Sequence, residues 1–336
     1  MPDILPLVAI LGPTASGKSS LAVQVAVRFG GEVIACDSTQ LYRHFDIGTA
    51  KVRESERNGI PHHLIDLLEP HELFTAGDYR RRALEVLENL RQRSKLPVFT
   101  AGTGLYLRAL LEGLADAPAR SEELRARLRA SAEKHAGASA VADAVRAAAR
   151  GESGESHAGA AYLHRMLARL DPASAARIAP ADEPKVIRAI EVCLESGRPM
   201  SEVHREPRPR LEGYRIIKIG LLPPRDALYA RISERIAAML AAGWLKETGD
   251  LLQQGLPEDA KPFLFIGYSE LRAHLRGEIT LDAAIAAINK STRRYAKRQI
   301  TWFRREQNVQ WFEGFGESLE TAGAAKNYLA TQLQPV

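Results

Sequence analysis

Short apolar runs alternate with segments of helical periodicity along the N-terminal third of the chain. The run Leu5–Leu11 is apolar throughout, which is typical of a parallel strand buried on both faces. Shorter runs at 32–36 and 96–100 predict two further strands. Apolar residues recur at helical spacing between them and predict a helix over 76–93: Tyr79, Ala83, Leu87 and Leu90. Strands that alternate with helices predict a parallel sheet wrapped by helices, the α/β class.

The pattern changes at residue 118, where strand signals stop. The following residues are rich in Ala, Arg and Glu, which favour helices. The predicted elements are, in order, helix within 121–150, a polar loop at 151–157, helices at 160–170 and 184–195, an irregular linker at 199–209, a strand at 214–222, helices at 225–242 and 280–305, a strand at 309–312 and a terminal helix. We therefore predict an α/β core made of 1–117 and 211–336, with an all-helical insertion domain at 118–210.

Composition excludes several classes of protein. The chain is 45% hydrophobic and 26% charged, which is ordinary for a folded domain. Its 46 basic and 41 acidic residues give a net charge of +5, which permits a polyanionic partner without requiring one. Cys36 and Cys193 are too few for a disulfide framework or a cysteine zinc site. No apolar run suits a signal peptide or a membrane span, so we expect a cytoplasmic protein.

A phosphate-binding motif follows the first predicted strand. Residues 12–19 match G-x-x-x-x-G-K-[ST] between a strand and a helix, the context that the motif requires. Backbone N–H groups and the helix N-terminus cradle phosphate oxygens there, Lys18 adds a point charge, and Ser19 supplies a hydroxyl for Mg²⁺. The predicted diphosphate site comprises Gly12, Pro13, Thr14, Ala15, Ser16, Gly17, Lys18 and Ser19.

The motif alone leaves two kinds of reaction open. One is phosphoryl transfer, as in a nucleoside triphosphatase or a small-molecule kinase. The other is a reaction in which diphosphate leaves and the loop stabilises its charge. Asp37 ends the second predicted strand and therefore faces the crevice beside the loop, as a Mg²⁺ ligand, a base or a helix cap. Ser38 and Gln40 follow it and suit the edge of a nucleobase.

Eight short motifs lie in order over most of the chain. They are GPTASGKS (12–19), DSTQLY (37–42), DIGTAK (46–51), PHHLID (61–66), GTGLY (102–106), RAIEV (188–192), FIGY (265–268) and TRRYAKRQITWFR (292–304). Each is weak alone, but the ordered set is specific and resembles the bacterial tRNA dimethylallyltransferases, also called tRNA isopentenyltransferases. The resemblance implies a P-loop NTPase-like core.

The resemblance also implies a reaction without phosphoryl transfer. Such enzymes move a dimethylallyl group from dimethylallyl diphosphate to N6 of the adenosine 3′-adjacent to the anticodon in tRNA, with Mg²⁺ as cofactor. In the family, the residue that matches Asp37 contacts N6 and acts as general base. The residue that matches Thr103 lies near the reacting centre, and the residue that matches Arg235 contacts the diphosphate. Arg231, one turn before Arg235, is a further candidate for the diphosphate. An exocyclic amine is a weak nucleophile, so a carboxylate base suits this chemistry.

Some positions depart from the family pattern or have no clear role. Ala101 stands where the family has glycine, which would matter if that position needs a positive φ. Thr39 stands where alanine is common. His62 and His63 are adjacent and point to opposite sides of an extended segment, which argues against a shared metal. Asp66 is a candidate to orient a histidine or to bind Mg²⁺.

A basic run near the C-terminus predicts contact with RNA. Residues 290–305 hold seven basic side chains and no acidic one, interleaved with Tyr295 and Trp302. Charge runs are usually solvated helix faces, but a run of a single sign is typical of nucleic-acid binding. In the helix around Arg125, RNA contact and plain surface both remain open. The predicted tRNA contacts are Asp37, Ser38, Thr39, Gln40, Gly104, Arg125, Lys185, Arg188, Arg293, Arg294, Lys297 and Arg298.

Three other functions remain as alternatives. A prenyltransferase acting on free adenine nucleotides would need neither the helical insertion nor the basic helix. A small-molecule kinase would carry an arginine-bearing lid, and no such motif is present. A non-catalytic RNA-binding protein would not need Lys18, Ser19 and Asp37 all intact. The favoured interpretation is a monomeric enzyme that acts on the anticodon stem-loop of tRNA, with the insertion domain contacting tRNA.

Overall fold

A six-stranded parallel sheet forms the centre of the α/β unit. The computed structural model describes residues 4–148, 158–257 and 259–334. The strand order is β3-β2-β4-β1-β5-β6. The strands are β1 (Leu5–Leu11), β2 (Gly31–Cys36), β3 (His62–His63), β4 (Leu96–Ala101), β5 (Tyr214–Leu221) and β6 (Val309–Phe312). The predicted P-loop-like α/β fold is thereby confirmed.

Helices connect the strands and form a second compact unit. In chain order they are α1 (Lys18–Phe29), α2 (Ala76–Gln92), α3 (Gly104–Glu112), α4 (Glu122–Ala148), α5 (Ala158–Leu170), α6 (Pro172–Ala175), α7 (Glu183–Ser196), α8 (Met200–Val203), α9 (Arg225–Ala241), α10 (Trp244–Gln253), α11 (Tyr268–Leu275), α12 (Leu281–Phe303) and α13 (Leu319–Gln332), with 3₁₀ turns at Glu54–Glu56 and Lys261–Leu264. No helix in these described ranges is long and apolar enough to cross a membrane.

The register of the central strands brings three connections to one edge of the sheet. Leu11 pairs with Ala101 across β1 and β4, and Cys36 pairs with Ala101 across β2 and β4. The chain therefore leaves β1, β2 and β4 at the same level. β2 and β4 are buried along their whole length, and both are mainly apolar, as strands covered on both faces require. The segments that follow these strands hold the candidate site, at the edge where α/β proteins bind ligands.

The two compact units are Met1–Gly113 with Arg210–Val336, and Leu114–Pro209. These limits differ from the predicted insertion, 118–210, by four residues at one end and one at the other. The second unit is helical and has its own apolar core. That core includes Leu128, Leu163, Leu167, Val186 and Ile190.

Several elements lack a sequence signal. β3 has two residues and α11 has eight, too short for a clear hydrophobic period. The linker predicted at 199–209 contains α8, a single turn. The loop predicted at 151–157 lies outside the described residues. Ala101 is the last residue of β4 and is not among the positive-φ positions, so this backbone accepts an alanine there.

Candidate active site

The loop between β1 and α1 adopts a tight turn around its own lysine. Gly12 and Gly17 have φ of 151° and 85°, a backbone that glycine adopts most easily. The Lys18 ammonium donates to the carbonyls of Gly12 at 2.9 Å and Pro13 at 2.7 Å. Burial lowers the pKa of Lys18 to about 8, the Asp37 carboxylate opposes this shift, and Arg235 adds to it. Lys18 is therefore a cation at neutral pH, close to both groups.

Other groups of the loop differ in their contacts with the rest of the chain. The Ser16 hydroxyl is buried and has no hydrogen-bond partner within the described residues. The Ser16 carbonyl accepts the N–H of Gly316 at 2.9 Å, which places the turn after β6 against the loop. A Cβ on Gly17 would overlap the Glu317 carboxylate in the same turn. The phosphate loop is thus supported from the β6 side.

The two oxygens of Asp37 have different surroundings. Oδ1 accepts the backbone N–H of Thr39 at 2.9 Å and its hydroxyl at 2.7 Å. Oδ2 has no hydrogen-bond donor within the described part of the chain. A Cβ on Gly102 would overlap Oδ2, so glycine at that position leaves room for the carboxylate. One oxygen is therefore held in place while the other can receive a proton.

Thr103 connects the end of β4 to the segment after β2. Its hydroxyl oxygen accepts the N–H of Ser38 at 2.9 Å and lies 3.3 Å from the Ser38 hydroxyl. The N–H groups of Gly102 and Thr103 both donate to the Cys36 carbonyl, at 3.0 and 2.9 Å. The Thr103 hydroxyl, expected at the reacting centre, and the Ser38 hydroxyl, expected to contact tRNA, therefore bond to each other beside Asp37.

Two arginines of α9 have different partners. Arg231 forms an ion pair with Glu317 and lies 4.7 Å from the centre of the Phe315 ring. Arg235 has no hydrogen-bond acceptor among the described residues. Burial lowers the pKa of Arg235, Arg231 lowers it further, and Asp37 opposes the shift. The geometry therefore favours Arg235 over Arg231 as the cation available to a diphosphate.

Gln299 of α12 is a site residue that the sequence analysis missed. The side chain is buried, accepts the N–H of Thr14 at 2.7 Å and donates to the carbonyl of Gly102 at 2.8 Å. The Tyr295 hydroxyl donates to the same carbonyl at 3.3 Å. Burial, together with the nearby Asp37, raises the pKa of Tyr295 far above its usual range, so the hydroxyl keeps its proton. The sequence signal that could have indicated Gln299 was an uncharged glutamine inside a basic run, one helical turn after a tyrosine.

Polar contacts hold the segment that follows Asp37 and the loops next to it. The Gln40 amide donates to the carbonyls of Thr49 and Ala50, both at 3.3 Å, so it holds a neighbouring loop. Lys51 pairs with Asp46 at 2.7 Å and with Asp66 at 2.5 Å. The hypothesis that Asp66 orients a histidine is therefore wrong, since its partner is an ammonium. His63 pairs instead with Glu32, at 2.7 Å.

The candidate magnesium ligands are few. The Ser19 hydroxyl, at the start of α1, is half-buried and has no hydrogen-bond partner within the described ranges. Within those ranges no group of three His, Cys, Asp or Glu side chains is placed to hold a metal. This arrangement fits a Mg²⁺ ion that is bound mainly through the oxygens of a diphosphate, as is usual for that ion.

A basic cleft lies between α9 and α12. Its volume is about 360 Å³, and five cationic side chains but no acidic one line it. The guanidinium groups of Arg225 and Arg293 lie 5.2 and 5.3 Å from the centre of the Tyr229 ring. We define the basic cleft by Arg225, Tyr229, Lys290, Arg293, Arg294 and Lys297. Arg298, the fourth predicted RNA contact on this helix, does not line it and lies over the Tyr295 ring.

Other predicted tRNA contacts have structural explanations. A Cβ on Gly104 would overlap the Trp302 indole, so close packing alone accounts for this glycine. Arg125 is 7% exposed, and both hydrogen bonds of its side chain, at 2.8 Å, go to the buried Glu191. Arg188 contacts the same carboxylate and is one-third exposed, whereas Lys185 is exposed beside Asp182. The interior ion pair accounts for Arg125 without RNA.

Fold and site together define an α/β protein of the P-loop class, with lysine, arginine and an aspartate grouped at its phosphate loop. Residues 40–306 match the family model for IPP transferase, and the chain belongs to this family.

Similar proteins match almost the full length. The tRNA dimethylallyltransferase of Solibacter usitatus is 47% identical over 97% of this chain and 98% of its own. The protein of the same name from Koribacter versatilis is 46% identical over 97% and 98%. The crystal structure of the tRNA isopentenylpyrophosphate transferase from Bacillus halodurans has a TM-score of 0.67 and 35% identity, and the match covers 98% of this chain and 96% of that one.

Proposed function

We propose that this chain is a tRNA dimethylallyltransferase. It transfers a dimethylallyl group from dimethylallyl diphosphate to N6 of the adenosine 3′-adjacent to the anticodon and releases diphosphate. The observation that carries the proposal is the free Oδ2 of Asp37 beside a phosphate loop whose Lys18 lies close to Asp37 and Arg235. The names of the similar proteins support the same activity.

In the proposed reaction, the cations act on the leaving diphosphate, and the Asp37 carboxylate acts on the nucleophile, N6. The carbon–oxygen bond of the donor breaks, and negative charge develops on the diphosphate. Lys18, Arg235 and the loop N–H groups stabilise that charge in place. The N6–carbon bond forms while an N6 proton passes to Oδ2 of Asp37, which restores the nucleophilicity of an otherwise delocalised lone pair. Thr39 holds Oδ1, so Oδ2 keeps its direction.

Magnesium belongs to the same proposal. A Mg²⁺ ion held by the diphosphate and Ser19 would neutralise part of the charge on the leaving group. The chain's own cations remain Lys18 and Arg235, which hold the diphosphate from the protein side.

RNA binding is assigned to the basic cleft and to exposed parts of the helical unit. Phosphate contacts position a nucleic acid, and a cleft with five cations and no carboxylate suits this role. The target base must leave its stack to reach a carboxylate inside the site. Ser38 and Thr39 lie next to that carboxylate. A monomeric state and a cytoplasmic location complete the proposal.

The test is incubation with labelled dimethylallyl diphosphate and total tRNA, with ATP and free AMP in parallel. Label in tRNA alone is expected. Label in AMP would favour an adenine-nucleotide prenyltransferase, and release of the γ-phosphate of ATP would favour a kinase. Either of these results without label in tRNA would overturn the proposal.

A further inference from the structure

Gln299 joins two segments that are far apart in sequence. It accepts the N–H of Thr14, 285 residues away, and donates to the carbonyl of Gly102. An N–H can only donate and a carbonyl can only accept, so one orientation of the amide satisfies both partners. At 5% exposure the side chain has little access to water as an alternative partner. The bridge therefore has a defined geometry.

Both segments at the ends of the bridge belong to the reacting centre. Thr14 lies in the loop that would hold the leaving diphosphate. Gly102 lies against Oδ2 of Asp37, where a side chain would overlap it, and its N–H donates to Cys36, the residue before Asp37. Gln299 thus connects the leaving-group side of the site to the side of the base.

We propose that Gln299 is a positioning residue that sets the distance between the phosphate loop and Asp37. This inference rests on the proposed transfer reaction. Gln299 takes up the Thr14 N–H, so a side chain of α12 holds this part of the loop in place. Reactions between groups held in a site are sensitive to their alignment, and a misplacement of about 1 Å costs about 10²-fold in rate.

Tyr295 provides a matched comparison on the same helix. Its hydroxyl also donates to the Gly102 carbonyl, at 3.3 Å, but it has no contact with the phosphate loop among its hydrogen bonds in the described chain. Tyr295→Phe therefore removes one donor to Gly102 and keeps the bridge. Gln299→Met keeps the length of the side chain and removes both hydrogen bonds.

The experiment measures single-turnover transfer of labelled dimethylallyl groups to tRNA. Gln299→Met is expected to lower the rate by about 10²-fold, and Tyr295→Phe to lower it far less, because the Thr14 contact survives. The same change is then made in the Asp37→Asn background. Its effect should shrink to about threefold there, since no base remains to be positioned. An equal loss in both backgrounds would mean a merely structural role and would overturn the inference.

Two further measurements separate folding and function from positioning. Thermal unfolding shows whether Gln299→Met folds; if it does not, Gln299→Glu, which can still accept from Thr14, replaces it. Calorimetry with inorganic diphosphate should show binding weakened by about tenfold in the variant. A wild-type chain that transfers nothing to tRNA would refute the proposed function. Wild-type diphosphate affinity together with a wild-type transfer rate in Gln299→Met would refute the positioning role.

Discussion

At the scale of single residues, two atoms of one side chain, or two side chains of the same type, differ in their hydrogen-bond and ion-pair partners. Thr39 holds one oxygen of Asp37, while the other oxygen faces the gap beside Gly102. Arg231 pairs with Glu317, while Arg235, one turn later, has no acceptor within the described residues. Local pairing therefore distinguishes residues of the same type that sequence analysis treats alike.

Asp37→Asn keeps the size of the side chain and removes the proton acceptor. We expect kcat to fall by about 10²- to 10⁴-fold with tRNA affinity retained, the range for loss of a positioned base. Steady-state transfer and tRNA binding are measured side by side. Glu234→Gln, an exposed carboxylate on α9, is the control and should leave kcat unchanged. Turnover near the wild-type value in Asp37→Asn would contradict the assignment.

We expect Lys18 to make the binding of dimethylallyl diphosphate depend on pH. Its pKa is lowered to about 8 by burial, so the ammonium is charged below that pH and neutral above it. The affinity for dimethylallyl diphosphate should therefore fall above pH 8, by roughly tenfold per pH unit. Calorimetry across this range measures it. In Lys18→Arg the guanidinium stays charged, so the decrease should disappear; an identical decrease in both proteins would assign it to another group.

At the scale of elements, α12 combines two roles on different sides of one helix. Tyr295 and Gln299, four residues apart, contact the segment beside Asp37. Lys290, Arg293 and Lys297 line the basic cleft against α9. Residues three and four apart share a helix face. One face of α12 therefore makes the polar contacts beside Asp37, and another face lines the basic cleft with cations.

Neutralising a cation of the basic cleft should reduce the salt dependence of tRNA binding. Arg294→Gln and Lys297→Gln are each expected to lower the slope of log affinity against log salt by roughly 0.7–0.9 and to weaken all substrate tRNAs alike. Binding is titrated at several salt concentrations. Lys246→Gln, an exposed lysine of α10, is the control. Unchanged slopes in both cleft variants would place the RNA contacts elsewhere.

At the scale of the whole molecule, two units with separate cores make up the chain. The helical unit contains a buried ion pair in which Glu191 accepts from Arg125, Arg188 and the N–H of Ser121. Burial alone would raise the pKa of Glu191, but these hydrogen bonds outweigh it and lower the pKa to about 2. The pair supports the helical unit most strongly at neutral pH.

The helical unit should lose stability in acid through Glu191. Its pKa is about 2 in the folded chain against an ordinary 4.5, so the stabilisation is complete above pH 4.5 and is lost as pH falls toward 2. Glu191→Gln should cost about 3 kcal/mol at neutral pH, because it leaves Arg125 buried without its charge partner, and should flatten the acid dependence.

Hydrogen exchange of peptides from the helical unit measures this effect. All three tryptophans, Trp244, Trp302 and Trp311, lie in the α/β unit. Their fluorescence therefore reports separately on that unit and should differ little between Glu191→Gln and wild type. An acid dependence of exchange that is the same in Glu191→Gln and wild type would contradict the assignment to Glu191.

The sequence by itself determined what depends on neighbouring residues. β1, β2 and β4 were predicted within one residue of their observed limits, because strands buried on both faces need mainly apolar runs. The phosphate loop was predictable since its glycines, Lys18 and Ser19 act within one turn of chain. The position of Asp37 beside the phosphate loop was predictable, because Asp37 follows a buried strand at the edge where parallel strands end.

Only the tertiary structure decided what depends on residues far apart in the chain. Gln299 reaches Thr14 across 285 residues, and Arg125 meets Glu191 across 66. Nothing in the local pattern around Arg125 separates a solvated arginine from one that neutralises a buried carboxylate. The basic cleft likewise needs Arg225 and Tyr229 from α9 beside the cations of α12. Such pairings follow from how the helices pack, and packing is a property of the whole folded chain rather than of any one segment.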